Sequence, residues 1–396
     1  MRYDFDEVID RSGTDALKVE ALASRWGRTD LIPLWVADME FKTPPFIMNA
    51  IRKRCENEIL GYTSRPEEWY DAIIDWTVER TGYQPAKEEI LYTPGIVPGL
   101  AFAVLSLTRE GDRIMIQPPV YHPFAFVINN NRRIVVNNPL RLEHGEYHFD
   151  RAGFRKEVEG CKMFILCNPH NPGGKVWTKE ELLYIAETCA ELGVIVVSDE
   201  IHTDLTLPPH HSYLFSSVSE KARLNSVVFR SSSKAFNMPG LASAYCFVAD
   251  EALRARLKAY IDGNELGEGH VFAYSGVIAA YRNGSDWLGQ MLAYIKLNME
   301  FLDAYLKEHM PAIKAVLPQA SYLVFLDCRD LQLSQSELID FFVDKAHLAL
   351  NDGEIFGKEG IGFMRMNVAC PRSMLALALQ QLKQAYEQMP DRRLHL

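Results

Sequence analysis

The sequence predicts an α/β fold in which a doubly wound, mostly parallel sheet lies between helices and a smaller α+β unit follows. From residue 90 onward, short apolar runs alternate with amphipathic stretches, as in parallel strands joined by crossover helices. A long helical stretch at 286–309 then leads out of this layer. From residue 320 the pattern becomes strand, helix, strand. With 396 residues, the chain is long enough for more than one hydrophobic core.

These elements predict three segments. Residues 1–45 form an N-terminal arm that contributes to the small domain and ends in a proline-rich exit. Residues 46–285 form the large domain and residues 286–396 the small C-terminal domain. Helical periodicity over 46–59 and 67–80 places two helices before the sheet. The predicted strands that follow are 90–92, 114–117, 133–137, 163–167, 194–198, 227–230 and 244–248.

Composition argues against several classes of protein. The net charge is −10 and no basic run stands out, so nucleic acid is not an expected partner. No apolar stretch approaches the ~18 residues of a membrane span, and the charged start lacks the apolar core of a signal peptide. The seven cysteines include no C-x-x-C pair and fit reduced thiols. We therefore expect a cytoplasmic protein with no membrane partner.

The most informative stretch is NSVVFRSSSKAFNMPG, residues 225–240. An apolar, β-branched run ends in three serines, and Lys234 follows them directly. Burial at a strand end lowers the pKa of a lysine and frees its amine as a nucleophile. The serines beside it offer donors to a phosphate, so the stretch has what a pyridoxal 5′-phosphate (PLP) site requires. Seen alone, it is also compatible with a solvated loop.

Two upstream stretches favour the PLP interpretation. GVIVVSDEIHTD places Asp199 at the carboxyl end of an apolar strand, where a carboxylate can pair with a protonated pyridine nitrogen. MFILCNPHNPGGK places Asn171 after another strand, as a donor to the pyridine 3′-oxygen. Taken singly, Asp199 could cap a helix and the loop around Asn171 could be a plain turn. The ends of three predicted strands carry Asn171, Asp199 and Lys234, and this pattern favours one shared site.

The segments NPHNPGG, SDEIH and SSSKAFN resemble the three PLP-binding signatures of the fold-type I, class I/II aminotransferases. The resemblance covers nearly the whole chain, from WVADMEF at 35–41 to RMNVACPRS at 365–373. WVADMEF and GYTSRPEEWYDAI (61–73) look most like the cystathionine β-lyase branch, which includes cystalysin-type C-S lyases. The resemblance implies a seven-stranded, mostly parallel sheet, PLP as cofactor and a homodimer.

One segment predicts the phosphate end of the site. TPGIVPG (93–99) joins a strand to a helix, so the backbone amides of Ile96 and Val97 form an anion site at a helix N-terminus. A loop without a ligand is the alternative. The resemblance assigns both amides and Ser231 to the PLP phosphate. Ala242 departs from the commoner pattern, which has an arginine eight residues after the lysine, so one bidentate phosphate anchor is missing.

The resemblance also suggests functions for four residues that would otherwise pass as packing or surface residues. Tyr121 matches the aromatic residue that stacks on the pyridine ring. Tyr62 matches a tyrosine that reaches the neighbouring subunit's phosphate, which implies a shared active site. His202 either supports the cofactor or packs, and no metal-ligand spacing accompanies it. Arg365 follows a predicted strand and matches the residue that binds the substrate carboxylate. No chemical role is evident for Asp38.

Together these residues predict a PLP-dependent carbon–sulfur β-lyase of the cystathionine β-lyase or cysteine desulfhydrase type. It would release a thiol or sulfide, pyruvate and ammonia from S-substituted cysteines. Lys234 would hold PLP and then take the Cα proton, Asp199 would keep the pyridine nitrogen protonated, and Lys234 or Tyr121 would protonate the leaving thiolate. The alternatives are an aminotransferase of a neutral or aromatic amino acid and a PLP-binding regulatory protein with residual lyase activity.

Overall fold

The structure, a computed structural model, describes residues 1–389. The N-terminal arm packs on the C-terminal part of the chain, because its strand runs parallel to β13 (Leu348–Ala349). Trp35 is buried in an apolar cluster with Val343. Such contacts are expected if the arm contributes to the small domain. The domain boundaries stay a prediction. The arm contains α1 (Leu17–Glu20), α2 (Leu22–Trp26) and β1 (Ile32–Pro33).

The central sheet has seven strands, of which one, β10 (Ala244–Phe247), runs antiparallel to both neighbouring strands, while the other pairs are parallel. Each of the seven predicted strands overlaps one of them. The predicted mostly parallel, seven-stranded α/β sheet is therefore confirmed. The order across the sheet is β2 (Ile90–Thr93), β10 (Ala244–Phe247), β9 (Ser226–Arg230), β8 (Ile195–Asp199), β7 (Met163–Cys167), β3 (Arg113–Ile116) and β4 (Ile134–Asn137).

Helices cover both faces of this sheet, which explains why its central strands are continuous apolar runs. Successive side chains of a strand point to opposite faces. Val196 and Val228 accordingly join one large buried cluster, while Val197 and Val227 join the other. The helices of this part of the chain are α3 (Pro45–Cys55), α4 (Glu67–Thr81), α5 (Ile96–Leu107), α6 (Pro123–Asn130), α7 (Arg151–Val158), α8 (Lys179–Leu192), α9 (Glu220–Leu224), α10 (Glu251–Gly263) and α11 (Val271–Asn283).

The helix predicted over 46–59 is too long, since α3 ends at Cys55. Ile59 and Leu60 remain exposed, so the residues after Cys55 have no apolar surface against which a further helical turn could pack. Residues 57–66 instead form an irregular segment that leads to α4. A short antiparallel hairpin, β5 (Arg141–Glu143) and β6 (Glu146–His148), lies outside the central sheet.

The long predicted helix and the strand–helix–strand pattern after it are both present. A four-stranded antiparallel sheet forms the core of this C-terminal part, in the order β11, β12, β15, β14. No helix within residues 1–389 is long and apolar enough to cross a membrane. The elements are α12 (Ser285–His309), β11 (Lys314–Val316), β12 (Leu323–Asp327), α13 (Gln335–Asp340), β14 (Asn351–Asp352), β15 (Phe363–Asn367) and α14 (Arg372–Glu387).

Candidate active site

Three neighbouring parallel strands, β7, β8 and β9, end at one cavity of about 280 Å³. The pairing of β7 with β8 sets Cys167 opposite Asp199, and β9 lies on the other side of β8. Asn171 and Lys234 follow the two flanking strands and line the same cavity. The carboxyl edge of the sheet thus brings the three predicted side chains together. The other predicted residues in the lining are Tyr121, Ile96, Val97, Ser231 and His202.

Lys234 is held by a backbone carbonyl from the N-terminal arm. Its Nζ donates a hydrogen bond of 2.7 Å to the carbonyl oxygen of Ala37. Burial lowers the pKa of Lys234 to about 8, although Asp38 opposes this shift. A fraction of the amine is therefore neutral near physiological pH and can act as a nucleophile or base.

The arm segment 35–41 is fixed by hydrogen bonds from the C-terminal sheet and the loop before β12. The hydroxyl of Tyr322 donates to the Ala37 carbonyl at 3.0 Å, the same acceptor that Lys234 uses. Asn367 Nδ2 donates to the carbonyls of Val36 and Asp38, each at 2.7 Å. The position of the Lys234 side chain therefore depends on contacts with β15 and with the loop before β12.

Asp38, for which the sequence suggested no role, belongs to a cluster of charged side chains. Arg11 bridges Asp38 at 2.7 Å and Glu40 at 3.0 Å. Lys18, which is fully buried, bridges Glu40 at 2.7 Å and Asp38 at 3.5 Å. With every charge paired, the cluster ties α1 to the segment that carries the Ala37 carbonyl.

Asp199 is buried, and no cationic side chain of residues 1–389 forms an ion pair with it. One carboxylate oxygen accepts a hydrogen bond of 3.2 Å from the backbone N–H of Ile201. Burial raises the pKa of Asp199 to about 7, against the effects of that hydrogen bond and of Lys234. A cation placed beside this carboxyl would stabilise its charged form.

Arg365 lies inside β15, so the prediction that it follows a strand is wrong. The antiparallel pairing of β15 with β12 keeps it in the sheet, and its side chain is buried rather than on the surface. Its Nη1 donates to Asn171 Oδ1 at 3.1 Å and its Nη2 to the Trp35 carbonyl at 3.3 Å. Its Nε is buried and has no hydrogen-bond partner in the described part of the chain. Burial lowers the pKa of Arg365 to about 10, so the guanidinium is still charged at neutral pH and can receive an anion.

Tyr121 and His202 supply the aromatic lining of the cavity. Burial raises the pKa of Tyr121, and Asp199 adds to the shift. The phenol therefore keeps its proton at neutral pH. Burial lowers the pKa of His202 to about 3, helped by Lys234 and Arg365, so the ring is neutral. Its Nδ1 is buried without a hydrogen-bond partner.

The far end of the cavity is formed by the N-terminus of α5. The first helical bond runs from the N–H of Gly99 to the carbonyl of Gly95. The amides of Ile96 and Val97 therefore donate to no acceptor in the described chain and are free for an anion. Ser231 lines the same cavity, and its hydroxyl donates to the Ser243 carbonyl at 2.7 Å.

The described residues include no group of three or more His, Cys, Asp or Glu side chains arranged to hold a metal ion. Class I and II aminotransferases match this chain over residues 29–382. The chain belongs to the class I and II aminotransferase family.

Relatives within this aminotransferase family are similar over nearly their full length. Cystathionine beta-lyase PatB of Bacillus subtilis (strain 168) is 38% identical over 383 residues, which cover 96% of this chain and 99% of that protein. Cystalysin from Treponema denticola, whose structure contains pyridoxal 5′-phosphate, has a TM-score of 0.96 at 31% identity, covering 98% of this chain and all of that one. The PLP-bound C-S lyase from Staphylococcus hominis has a TM-score of 0.90 at 33% identity, covering 98% of each chain.

Two predicted site residues do not line the cavity, Arg365 and Tyr62. Arg365 hydrogen-bonds to the lining residue Asn171, whereas Tyr62 lies between α3 and α4 and is fully exposed. This placement is what a contribution to another subunit's site requires, and that contribution stays a prediction. Sequence reasoning missed several lining residues, among them Ala37 and Ser243. A signal existed only for Ser243, which directly follows the position where the aminotransferase arginine is absent.

We expect Asp199→Asn to stabilise the ligand-free protein at and above neutral pH. Folding raises the pKa of this carboxyl from 3.8 to about 7. The stability contributed by its protonated form is therefore complete below pH 3.8 and is lost as the pH rises through 7. Asparagine stays neutral, so the melting temperature of the variant, relative to the wild type, should increase between about pH 4.5 and about pH 8.

The matched control is Asp71→Asn, which changes an exposed carboxylate on α4. Its melting temperature should differ from that of the wild type by the same small amount across this pH range. A flat profile for Asp199→Asn as well would show that burial does not perturb Asp199.

Proposed function

We propose that this protein is a PLP-dependent carbon–sulfur β-lyase that acts on cystathionine, cysteine or related S-substituted cysteines. The products are a thiol or sulfide, pyruvate and ammonia. The observation that carries the proposal is the near full-length similarity to a cystathionine beta-lyase and to two C-S lyases. The convergence of Lys234, Asp199 and Asn171 on one cavity, with Arg365 hydrogen-bonded to Asn171, supports it independently.

The cavity fits PLP in chemical terms. Asp199 offers a buried carboxyl to a pyridinium nitrogen, and Lys234 offers an amine to the aldehyde. The free amides of α5 and the unpartnered hydroxyl of Ser243 offer donors to a phosphate. Asn171 uses its Oδ1 for Arg365, so its Nδ2 remains available to donate to the 3′-oxygen. When bound, PLP supplies an electron sink for the carbanion formed at the substrate Cα.

Three side chains of this protein perform the acid–base steps. Asp199 holds a proton at the pyridine nitrogen, because its carboxylate is buried and has no other cation in contact. Lys234 takes the Cα proton, for which a pKa near the working pH is favourable. Tyr121 keeps its proton at neutral pH and can give it to the leaving thiolate, as can the protonated Lys234.

Arg365 positions the substrate through its carboxylate. The guanidinium is buried, makes hydrogen bonds only to neutral oxygens and has its Nε free. A carboxylate would complete its hydrogen bonding and offset the cost of burying its charge. Arg365 also bonds to Asn171, so binding of the substrate carboxylate is coupled to the residue that contacts the cofactor.

The holoenzyme should form thiol and pyruvate from L-cystathionine without an added keto acid. We expect Lys234→Ala to reduce this turnover by about 10³-fold or more, since it removes both the covalent link to PLP and the general base. Lys221→Ala is the control, because it breaks only an exposed ion pair with Glu187 and should leave turnover unchanged.

The same assay separates elimination from amino transfer. Turnover that requires a keto acid and produces no pyruvate from L-cystathionine would replace the lyase proposal with the aminotransferase alternative. Full β-elimination by Lys234→Ala would instead refute the role of this lysine.

We also propose that the protein is a homodimer whose two active sites each receive Tyr62 from the other subunit. Tyr62 is fully exposed and does not line the cavity of its own chain. The cavity contains one Lys or Arg among the described residues, Lys234, and Ala242 stands at its phosphate end. A donor from a second subunit would therefore matter for phosphate binding.

Subunit mixing tests this arrangement. Lys234→Ala and Tyr62→Ala dimers are each expected to be strongly impaired. After exchange, a heterodimer should hold one site with both defects and one intact site, so an equimolar mixture should recover roughly a quarter of wild-type activity. No recovery despite demonstrated exchange and an impaired Tyr62→Ala dimer would show that Tyr62 acts within its own subunit.

A further inference from the structure

The start of β10 places a buried hydroxyl at the phosphate end of the cavity. Ser243 directly precedes this strand and is 6% exposed. Its Oγ is buried and makes no hydrogen bond within residues 1–389. A buried donor without a partner costs free energy, so its persistence in a ligand cavity points to a partner that a ligand supplies.

The backbone before Ser243 is held in an unusual conformation that presents this residue to the cavity. Ala242 has a φ of 44°, in the left-handed region that a residue with a side chain adopts only at a cost. Its carbonyl accepts a hydrogen bond of 3.2 Å from the hydroxyl of Tyr92 on β2. The contact with β2 therefore fixes the turn from which Ser243 enters the cavity lining.

Ser231, the serine that family resemblance assigns to the phosphate, has its proton engaged elsewhere. Its hydroxyl has two acceptors within reach, the Ser243 carbonyl at 2.7 Å and Ser233 Oγ at 3.0 Å. The same oxygen accepts from the backbone N–H of Ser233 at 3.1 Å. A hydroxyl has a single hydrogen to donate. Ser231 would have to give up a protein hydrogen bond to reach a phosphate, whereas Ser243 would not.

We propose that Ser243 donates a hydrogen bond to the phosphate of PLP and takes over part of the task of the arginine that is absent at Ala242. The inference rests on the proposed PLP-dependent function. The phosphate is then held by neutral donors: the Ser243 hydroxyl and the Ile96 and Val97 amides, with the dipole of α5 behind them.

The test uses stripped enzyme, from which PLP has been removed. It compares the binding of PLP with that of pyridoxal, which lacks the phosphate. A hydrogen bond to a charged group contributes strongly to the free energy of binding. Ser243→Ala should therefore raise the Kd for PLP roughly tenfold to a hundredfold. The Kd for pyridoxal should not change. Inorganic phosphate should compete with PLP for the wild type and compete less well for the variant.

Thermal unfolding of the stripped enzyme separates ligand binding from a structural role. The hydroxyl of Ser243 has no protein partner, so Ser243→Ala should leave the Tm without PLP unchanged or slightly raised. The rise in Tm on adding PLP should be smaller than for the wild type. Ser226→Ala is the control, since Ser226 donates to the Ala222 carbonyl at the opposite end of β9 and should bind PLP like the wild type.

Each outcome decides the inference. Equal PLP affinity of Ser243→Ala and wild type overturns it and leaves the proposed function intact. Equal losses for PLP and pyridoxal also overturn it, because the phosphate would then not be the group recognised. If the wild type itself takes up no PLP, the proposed function fails and the inference fails with it.

Discussion

The site depends on burying a lysine and an aspartate at the carboxyl edge of the central sheet, close to a buried arginine of β15, without pairing the three charges with each other. Lys234 and Arg365 donate to neutral oxygens, and Asp199 accepts from a backbone amide. Unpaired buried charges are costly, and the lowered pKa of Lys234 and the raised pKa of Asp199 express that cost. A ligand with a cationic nitrogen, an aldehyde and a carboxylate-bearing substrate partner would relieve all three side chains.

The N-terminal arm stabilises the two buried cations through backbone hydrogen bonds. Its carbonyls at Trp35 and Ala37 accept hydrogen bonds from Arg365 and Lys234 and leave both charges available. Carboxylates in those places would neutralise the cations and compete with the substrate. The arm has its own carboxylates, but Lys18 and Arg11 pair with them in the cluster next to this segment. The carboxylates of the arm are thus neutralised, whereas Lys234 and Arg365 remain available to a ligand.

Much of this site follows from local pattern, since strand ends read from apolar runs place Asn171, Asp199 and Lys234 on one edge of the sheet. The Ala37 carbonyl could not be predicted, because a backbone acceptor has no residue signature and lies 197 positions from Lys234. The free hydroxyl of Ser243 depends on which acceptors surround Ser231, which only packing decides. The sequence pattern predicts Arg365 after a strand, whereas it lies inside β15. Only two residues of β15 precede Arg365, which is too short a run to mark the start of the strand.

Lys234, at the converging strand ends, is the residue proposed to bind the cofactor, and chemical trapping tests this role most directly. Borohydride reduction of the PLP-loaded enzyme fixes the carbon–nitrogen link, and peptide mapping by mass spectrometry then locates it. We expect the added mass on the peptide that contains Lys234, and none in stripped enzyme treated in the same way. A stoichiometric label on another lysine, with Lys234 unmodified, would contradict the account.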